Sequence, residues 1–452
     1  MSRPRQANSK TDPSHSPSNI DDVVASDLCT RCGACHGACP QGAITWDHGF
    51  FPHATHRCKH CHLCLSVCGG MEVDFPRYTE RQYGAPQTLT EDAIGPLLYS
   101  AAAYSTDPKV RAAGSSGGLA SQIVISLLDR GEIDGAVLVG YSQEDPLQPL
   151  ARIARRRSEV LGCSQSKYSL FPVAHVYAEM IRTPGRYAVV GLPCQIHSLY
   201  RWQDIERRLL DRVVLIIGLF CHANLDPEVI PDLLLLKGLR KDDVARLEFR
   251  GGRWPGGIRA VLKDGSVIPL HQGDIKDGAF NYLNRLYIAK RCLLCIDFSA
   301  ELSDIAISDP WLRDGRGEYM FRGGWSMAHV RTMRGDRILR AMLERKEIVT
   351  QQVERSLVVK NNRAITQHKK RGAFIRILRR RKRGRPIPEY RINPPNLSAG
   401  DYAHEWAYQL SLFGRYMGWP RPVLLRLAFS SIGRQFSRLK AAIKQWKYRI
   451  SY

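Results

Sequence analysis

The sequence predicts an α/β body with a mostly parallel sheet, preceded by a small α+β module. Three observations carry that expectation. From about residue 100 to 345, short continuous apolar runs alternate with segments of helical periodicity, the pattern of strands covered on both faces by crossover helices. Ahead of that body, residues 21–80 hold eight of the 13 cysteines. The longest strongly apolar run, Val213 to Cys221, falls far short of the roughly 20 residues of a membrane span and reads as a buried strand.

Residues 1–20 are rich in Ser, Pro and Asn and are expected to be disordered. They lack the apolar centre of a secretory signal, so a reducing compartment is expected and disulfides are not. Cys29, Cys32, Cys35 and Cys39 then form C-x2-C-x2-C-x3-C, followed by Pro40, and Cys58, Cys61, Cys64 and Cys68 repeat the spacing with Gly69 where the proline would stand. Structural zinc sites use cysteine pairs, not triplets followed by a fourth cysteine. The double run is the signature of two [4Fe–4S] clusters in a bacterial-ferredoxin-like domain, where the fourth cysteine of each run ligates the other cluster. Cys29, Cys32, Cys35 and Cys68 are thus assigned to one cluster, and Cys58, Cys61, Cys64 and Cys39 to the second. Gly33 and Gly37 are expected to give the first loop room to turn. His36, His56, His60 and His62 lie among the cysteines and are expected to be exposed loop residues without a ligand role.

A linker with Tyr83, Gly84 and Pro86 leads into the body. Leu119, Ala120, Ile123, Val124, Leu127 and Leu128 recur at helical spacing, and Gly131 ends that helix. Strands are expected over 133–141, 186–191, 213–221 and 305–308. Gly114-Ser115-Ser116-Gly117-Gly118 opens the helix, where small residues and the helix dipole suit a phosphate; a plain Gly/Ser cap explains the segment equally well. Gly191-Leu192-Pro193-Cys194-Gln195 directly follows a strand, the position where open α/β sheets bind ligands. Cys194 and Cys221 both stand at strand ends, and Cys292 and Cys295 form a lone C-x2-C; buried, unliganded thiols are the alternative. Gly251-Gly252 and Gly256-Gly257 flank Arg253-Trp254-Pro255 as a turn, and the body contains no G-x-G-x-x-G, so a Rossmann nicotinamide site is not supported.

The ordered series S-S-G-G at 115–118, S-K-Y at 166–168, G-L-P-C-Q at 191–195, F-C at 220–221, C-L-L-C-I-D-F at 292–298, E-L-S-D-I-A-I-S-D-P at 301–310, and G-W-S with R-T at 324–332 resembles the beta subunits of coenzyme F420 hydrogenases and dehydrogenases. The resemblance covers roughly residues 95–345, divided at about 180, with the cysteine module in front as in several members. It implies a bound FAD and a third [4Fe–4S] cluster on Cys194, Cys221, Cys292 and Cys295. Candidate cofactor-binding residues are Ser115, Ser116, Gly117, Gly118, Lys167, Pro193, Gln195 and Asp309. Lys167 could neutralise a flavin anion or phosphate, a solvated lysine being the alternative. Asp309 ranks above Asp304 because it follows a strand, Cys163 reads as a core thiol, and no catalytic residue is assigned.

Flavin next to clusters couples a hydride carrier to one-electron carriers. The implied path joins a deazaflavin or other hydride-carrying small molecule, FAD, the body cluster, the two module clusters and a redox partner protein or ferredoxin. Two alternatives stay open: a ferredoxin-dependent reductase of an organic substrate, and a non-catalytic electron-transfer subunit.

The formal net charge is +23, but it is uneven. Residues 369–452 hold 20 Lys+Arg against three acids, a net +17, so the excess is read as a property of a basic tail. Arg379 to Arg383 with Arg385 is a dense cationic run, and Leu424, Leu425, Leu427, Ala428, Ile432, Phe436, Leu439, Ile443 and Trp446 interleave with Arg426, Arg434, Arg438, Lys440 and Lys444. An amphipathic basic helix on an anionic membrane surface is one reading; a solvated helix packed on the body is the other, and nucleic acid ranks below both. The expected location is cytoplasmic, and peripheral at the inner membrane face on the first of these readings.

Overall fold

The computed structural model describes residues 17–89, 91–271, 279–314, 316, 318–417, 420–433, 435–436, 439 and 442. Most of the expected disordered segment, together with Arg434, Arg438, Lys440, Ile443, Lys444 and Trp446, lies outside the described residues. Ile20 already opens a helix, capped by the Asn19 side chain, which accepts from Asp21 N–H at 2.8 Å.

The chain contributes β1 (Ile44–Trp46), β2 (Pro52–Ala54), β3 (Tyr99–Ser105), β4 (Gly135–Tyr141), β5 (Pro149–Ala154), β6 (Tyr187–Gly191), β7 (Val213–Leu219), β8 (Val244–Gly251), β9 (Gly257–Leu262), β10 (Val267–Pro269), β11 (Ile305–Ser308), β12 (Ser326–Val330) and β13 (Ile348–Val353). β1 and β2 pair antiparallel in the cysteine module, and β8–β10 form a small antiparallel sheet. The rest make one eight-stranded sheet in the order β13-β3-β12-β11-β7-β6-β4-β5.

That sheet is mixed, which corrects the expectation of a mostly parallel one. The four strands legible as apolar runs, β11, β7, β6 and β4, are consecutive and parallel. They are flanked by antiparallel strands: β5 on one side, and β12, β3 and β13 on the other. β3 reads YSAAAYS and β12 reads SMAHV. These sequences lack the β-branched runs that mark strands, yet both are buried because the helices Leu119–Asp129 and Met333–Glu344 cover that side.

One face of the sheet shares its core with the cysteine module. Cys29, Cys32, Cys35 and Cys68 belong to the same buried cluster as Val189, Ile196, Tyr200 and Ala300. Phe374, Ile377 and Tyr390 join it too, so the helix Ala373–Lys382, read from sequence as part of a tail, packs into the body. Lys369 and Lys370 are 4% and 1% exposed.

Candidate redox site

In the module, the structure brings Cys29, Cys32, Cys35 and Cys68 together as buried neighbours. Burial pushes the Cys29 thiol up to about 12, with Cys68 and Cys32 adding repulsion. Cys39, Cys58, Cys61 and Cys64 line a second, small pocket beside Ile44. Burial likewise raises Cys64 to about 11, with Cys58 and Cys61 beside it. Cys35 and Cys64 are neighbours across the two groups, and Cys61 is exposed at the surface. Among the described residues no three Cys, His, Asp or Glu side chains converge on a single metal ion. A cubane asks for a wider set, because each thiolate meets its own iron.

The module is pressed onto the body through its loops. Gly33 has φ +88°, and a Cβ there would sit 2.7 Å from the Pro172 Cβ, while one at Gly37 would sit 2.6 Å from the His175 carbonyl oxygen. The need for glycine is therefore close approach to the body as much as loop turning. Arg291, buried, donates from Nε to the Leu28 carbonyl at 3.1 Å and from Nη2 to the Gly70 carbonyl at 2.8 Å.

The body cysteines come from three places. Cys194 lies in the first turn of the helix Pro193–Gln203, immediately after β6. Cys221 follows β7, its N–H donating to the Phe298 carbonyl at 2.8 Å. Cys292 and Cys295 lie in and just after the 3-10 turn Lys290–Leu294. Burial pushes the thiols of Cys194, Cys221 and Cys292 upward, and the four sulfurs act on one another as neighbours. Cys32 of the module is a further neighbour of Cys194; the Ser198 hydroxyl lies 3.2 Å from Cys32 Sγ and donates to the Cys194 carbonyl at 3.2 Å. Lys369 reaches in over this group, with Nζ 3.5 Å from the Cys292 carbonyl oxygen. Burial opposes its charge, but the Cys295, Cys221 and Cys292 sulfurs outweigh that and raise its pKa. Next to it, Lys370 is ion-paired with the buried Glu301, whose carboxyl burial lifts to about 7 against the pull of Lys370.

Cys221 also lines a cavity of about 1120 Å³ at the carboxyl ends of β6, β7 and β11. Its wall includes Ser115, Ser116, Gly118, Lys167, Gln195 and Asp309. Pro193 and Gly117 do not line it; a Cβ on Gly117 would lie 2.5 Å from the Ala103 carbonyl oxygen. The helix Leu119–Asp129 begins at the cavity with no side-chain cap at Gly118, which leaves first-turn amides for an anion. Lys167 donates to the carbonyls of Cys163 at 2.8 Å, Ser164 at 2.6 Å and Gln165 at 3.1 Å. Its hydrogens thus hold its own loop, and burial lowers its pKa to about 8. Cys163 lines the cavity as well. Asp304 instead ties strands together, accepting from Ile216 N–H at 2.9 Å and the Thr332 hydroxyl at 2.7 Å.

The polar centre of the cavity is a residue that sequence reasoning missed. Arg250, on β8, pairs with Asp309 at 2.5 Å and donates to the Ser115 carbonyl at 2.9 Å. Asp309 Oδ1 is buried without a hydrogen-bond partner, an acceptor aimed where a ligand donor would satisfy it. The only sequence signal for Arg250 is its place beside Gly251-Gly252. The floor is His329, stacked on Phe220 at 4.5 Å and held between the hydroxyls of Ser100 at 2.9 Å and Ser308 at 3.2 Å.

Residues 100–178 match the family model described as coenzyme F420 hydrogenase/dehydrogenase, beta subunit N-term, and residues 185–356 match its C-terminus counterpart. Residues 21–69 match a 4Fe-4S dicluster domain. One subunit of the F(420)H(2) dehydrogenase of Methanosarcina mazei is 26% identical over 351 residues, covering 74% of this chain and 87% of that protein. The coenzyme F420-dependent sulfite reductase of Methanocaldococcus jannaschii is 25% identical over 357 residues, covering 74% of this chain and 49% of that protein, so the chain spans about half its length. Among solved structures, a chain from the F420-reducing [NiFe] hydrogenase complex of Methanosarcina barkeri shares the fold at TM-score 0.52 and 20% identity, over 68% of this chain and 99% of that one. With both halves of one family represented in order behind an iron–sulfur module, the chain belongs to the coenzyme F420 hydrogenase/dehydrogenase beta subunit family and carries a 4Fe-4S dicluster domain at its N-terminal side.

Proposed function

We propose that this protein is a flavin and iron–sulfur oxidoreductase subunit that passes electrons between a hydride carrier of the deazaflavin class and a one-electron partner. The observation that carries the reading is an unbroken series of sulfur groups leading away from the cavity. Cys221 lines the cavity and neighbours Cys292 and Cys295; Cys194 neighbours Cys32; Cys35 neighbours Cys64; Cys61 is exposed. In this reading Cys194, Cys221, Cys292 and Cys295 hold a third cluster, and each module group of four cysteines holds one.

The cavity residues suit an FAD. The uncapped helix start at Gly118 would receive the pyrophosphate, Arg250 would neutralise it, and Asp309 Oδ1 would accept from the ligand. Flavin bound there supplies the exchange between hydride and single electrons. Phe220 stacks on His329 at the cavity, and burial holds His329 neutral, with its pKa lowered to about 3.

Protein purified without oxygen and reconstituted with iron, sulfide and FAD tests the reading. Retained flavin, the iron content of three clusters and bleaching of the flavin by a reduced deazaflavin are expected; protein that retains neither flavin nor labile sulfide would sink the reading. Bleaching by reduced ferredoxin alone would favour the organic-substrate reductase.

Two surfaces bear on partners. Around the exposed Cys61, residues 53–62 carry Arg57, Lys59 and four histidines with no acid, which fits an acidic one-electron carrier protein. In the segment 399–433, Trp406, Phe413, Tyr416, Leu427 and Ile432 are each exposed, which suits contact with an anionic membrane. Among the described residues no helix is long and apolar enough to cross a membrane.

A further inference from the structure

Lys369 and Lys370 are consecutive, both buried, and differ in one respect. Lys370 has the Glu301 carboxylate against it. Lys369 has no carboxylate partner among the described residues; around its ammonium lie the Cys292 carbonyl, the sulfurs of Cys221, Cys292 and Cys295, and Arg376, whose own charge is paired with Glu405. An isolated buried charge is costly and persists where something of opposite sign offsets it. Neutral thiols offer little, whereas a thiolate-ligated cluster offers a full negative charge. Lys369 also lies beyond residues 185–356, the matched span of the family. It is delivered by the turn at 367–372, which runs into the helix Ala373–Lys382, and that helix packs on the 3-10 turn Lys290–Leu294 that carries Cys292.

We propose that Lys369 sets the reduction potential of the body cluster, holding it above the value the four cysteines would give alone. The inference rests on the third cluster of the function proposed above. Each electron taken up makes a thiolate-ligated cluster more negative, so a fixed positive charge beside it stabilises the reduced form. Net local charge and solvent exposure are among the factors that fix such potentials, and a buried charge is poorly screened by salt. The module groups begin at Cys32, beyond Cys194, and feel the charge less. Lys369 thereby makes the body cluster the readier acceptor from the cavity side. It is a positioning charge, with no bond to substrate.

The test is a redox titration of the reconstituted full chain followed by electron paramagnetic resonance, with iron counted in each preparation. Lys369→Gln keeps a donor for the Cys292 carbonyl, Lys369→Met is a second neutral variant, and Lys369→Arg keeps the charge. The body cluster is identified as the signal lost in Cys292→Ser. The neutral variants are expected to lower its midpoint so that the ratio of reduced to oxidised cluster falls at least tenfold at fixed ambient potential, about 59 mV for one electron. The arginine variant restores it, and the module signals stay in place. An unchanged midpoint in neutral variants with full iron content overturns the proposal, as does an equal shift of all signals. Iron for only two clusters in the unaltered chain overturns the underlying reading and this proposal with it.

Discussion

Gly69 lies against the helix that carries Cys194: its N–H donates to the Ser198 hydroxyl at 3.3 Å, and a Cβ in its place would sit 2.8 Å from Ser198 N. This is the position where the second cysteine run lacks its proline. Proline would remove the donor, and any side chain would push the module off the helix. The same serine contacts Cys32, so the docking that needs glycine is also the docking that brings module and body sulfurs together.

Gly69→Ala is therefore expected to destabilise the docked module by about 1–3 kcal/mol, the usual cost of overpacking. Hydrogen exchange should show faster opening of residues 58–72 while β6 and β7 keep their protection. Unchanged exchange in both regions would mean the interface tolerates the added methyl.

Arg250 and Asp309 close the cavity's polar side, and Asp309 keeps one buried oxygen without a partner. Arg250→Met leaves that carboxylate uncompensated. Losing one member of a buried pair typically costs about 3–5 kcal/mol; the cavity wets Asp309, so the lower end is expected. Flavin retention through gel filtration should fall at least about tenfold, equivalent to about 1.4 kcal/mol. Asp309→Asn, which keeps the shape and loses the charge, should fall between the two. Full retention in Arg250→Met would remove the anion role from this residue.

Acid sensitivity follows from histidines buried in neutral form. His329 is lowered by burial to about 3, and His175 and His368 to about 4. Between those values and the ordinary histidine pKa near 6.5, these three groups bind more protons in the unfolded chain than in the folded one, so their contribution rises with pH and is lost as pH falls through that window, and Glu301, lifted to about 7, offsets part of it. Each such group contributes up to about 1.4 kcal/mol per pH unit. Denaturant midpoints of the cluster-free chain should drop between about pH 6.5 and 4, and His175→Phe should flatten the profile. A midpoint independent of pH in this range would contradict the burial argument.

The exposed end of the sulfur series predicts a charge effect. Arg57 and Lys59 flank Cys58 and are exposed. Arg57→Glu with Lys59→Glu should slow electron transfer to an acidic ferredoxin by about tenfold or more at low salt, with the gap closing as salt is added. Reduction of the clusters by dithionite should not change. Equal rates with the ferredoxin at low salt would move the partner elsewhere.

What was legible in the sequence follows the strength of local signals. The cysteine runs fix their chemistry by spacing alone, and β4, β6, β7 and β11 announce themselves as apolar runs. β3 and β12 do not, because alanine, serine and histidine form no apolar run of their own and are buried only once helices pack on the sheet. Arg250 and Lys369 were illegible for the same reason: a basic residue reads as solvated unless tertiary contacts bury it. The bulk charge of residues 369–452 concealed that its first two lysines belong to the core.

The buried start of the basic segment limits how membrane binding can be tested. Lys370 pairs with Glu301, and Phe374 and Ile377 sit in the core, so deleting the chain from residue 370 would damage the body. The apolar surface can be addressed directly. Leu425 and Phe429 of the helix Arg421–Phe429 turn inward, while Leu427 is 57% exposed, Ile432 73% and Phe436 51%. Residues 420–452 contain eight basic residues and no acid, a composition that suits an anionic surface. Replacing Leu427, Ile432 and Phe436 by glutamate should weaken co-sedimentation with phosphatidylglycerol vesicles by about 3 kcal/mol or more, roughly hundredfold, since each such side chain gains about 1.5–3 kcal/mol when fully withdrawn from water. Binding to neutral phosphatidylcholine vesicles should be weak for both proteins. If the triple variant pellets with anionic vesicles as well as the unaltered chain, the exposed side chains do not meet lipid, and a protein surface is their occupant.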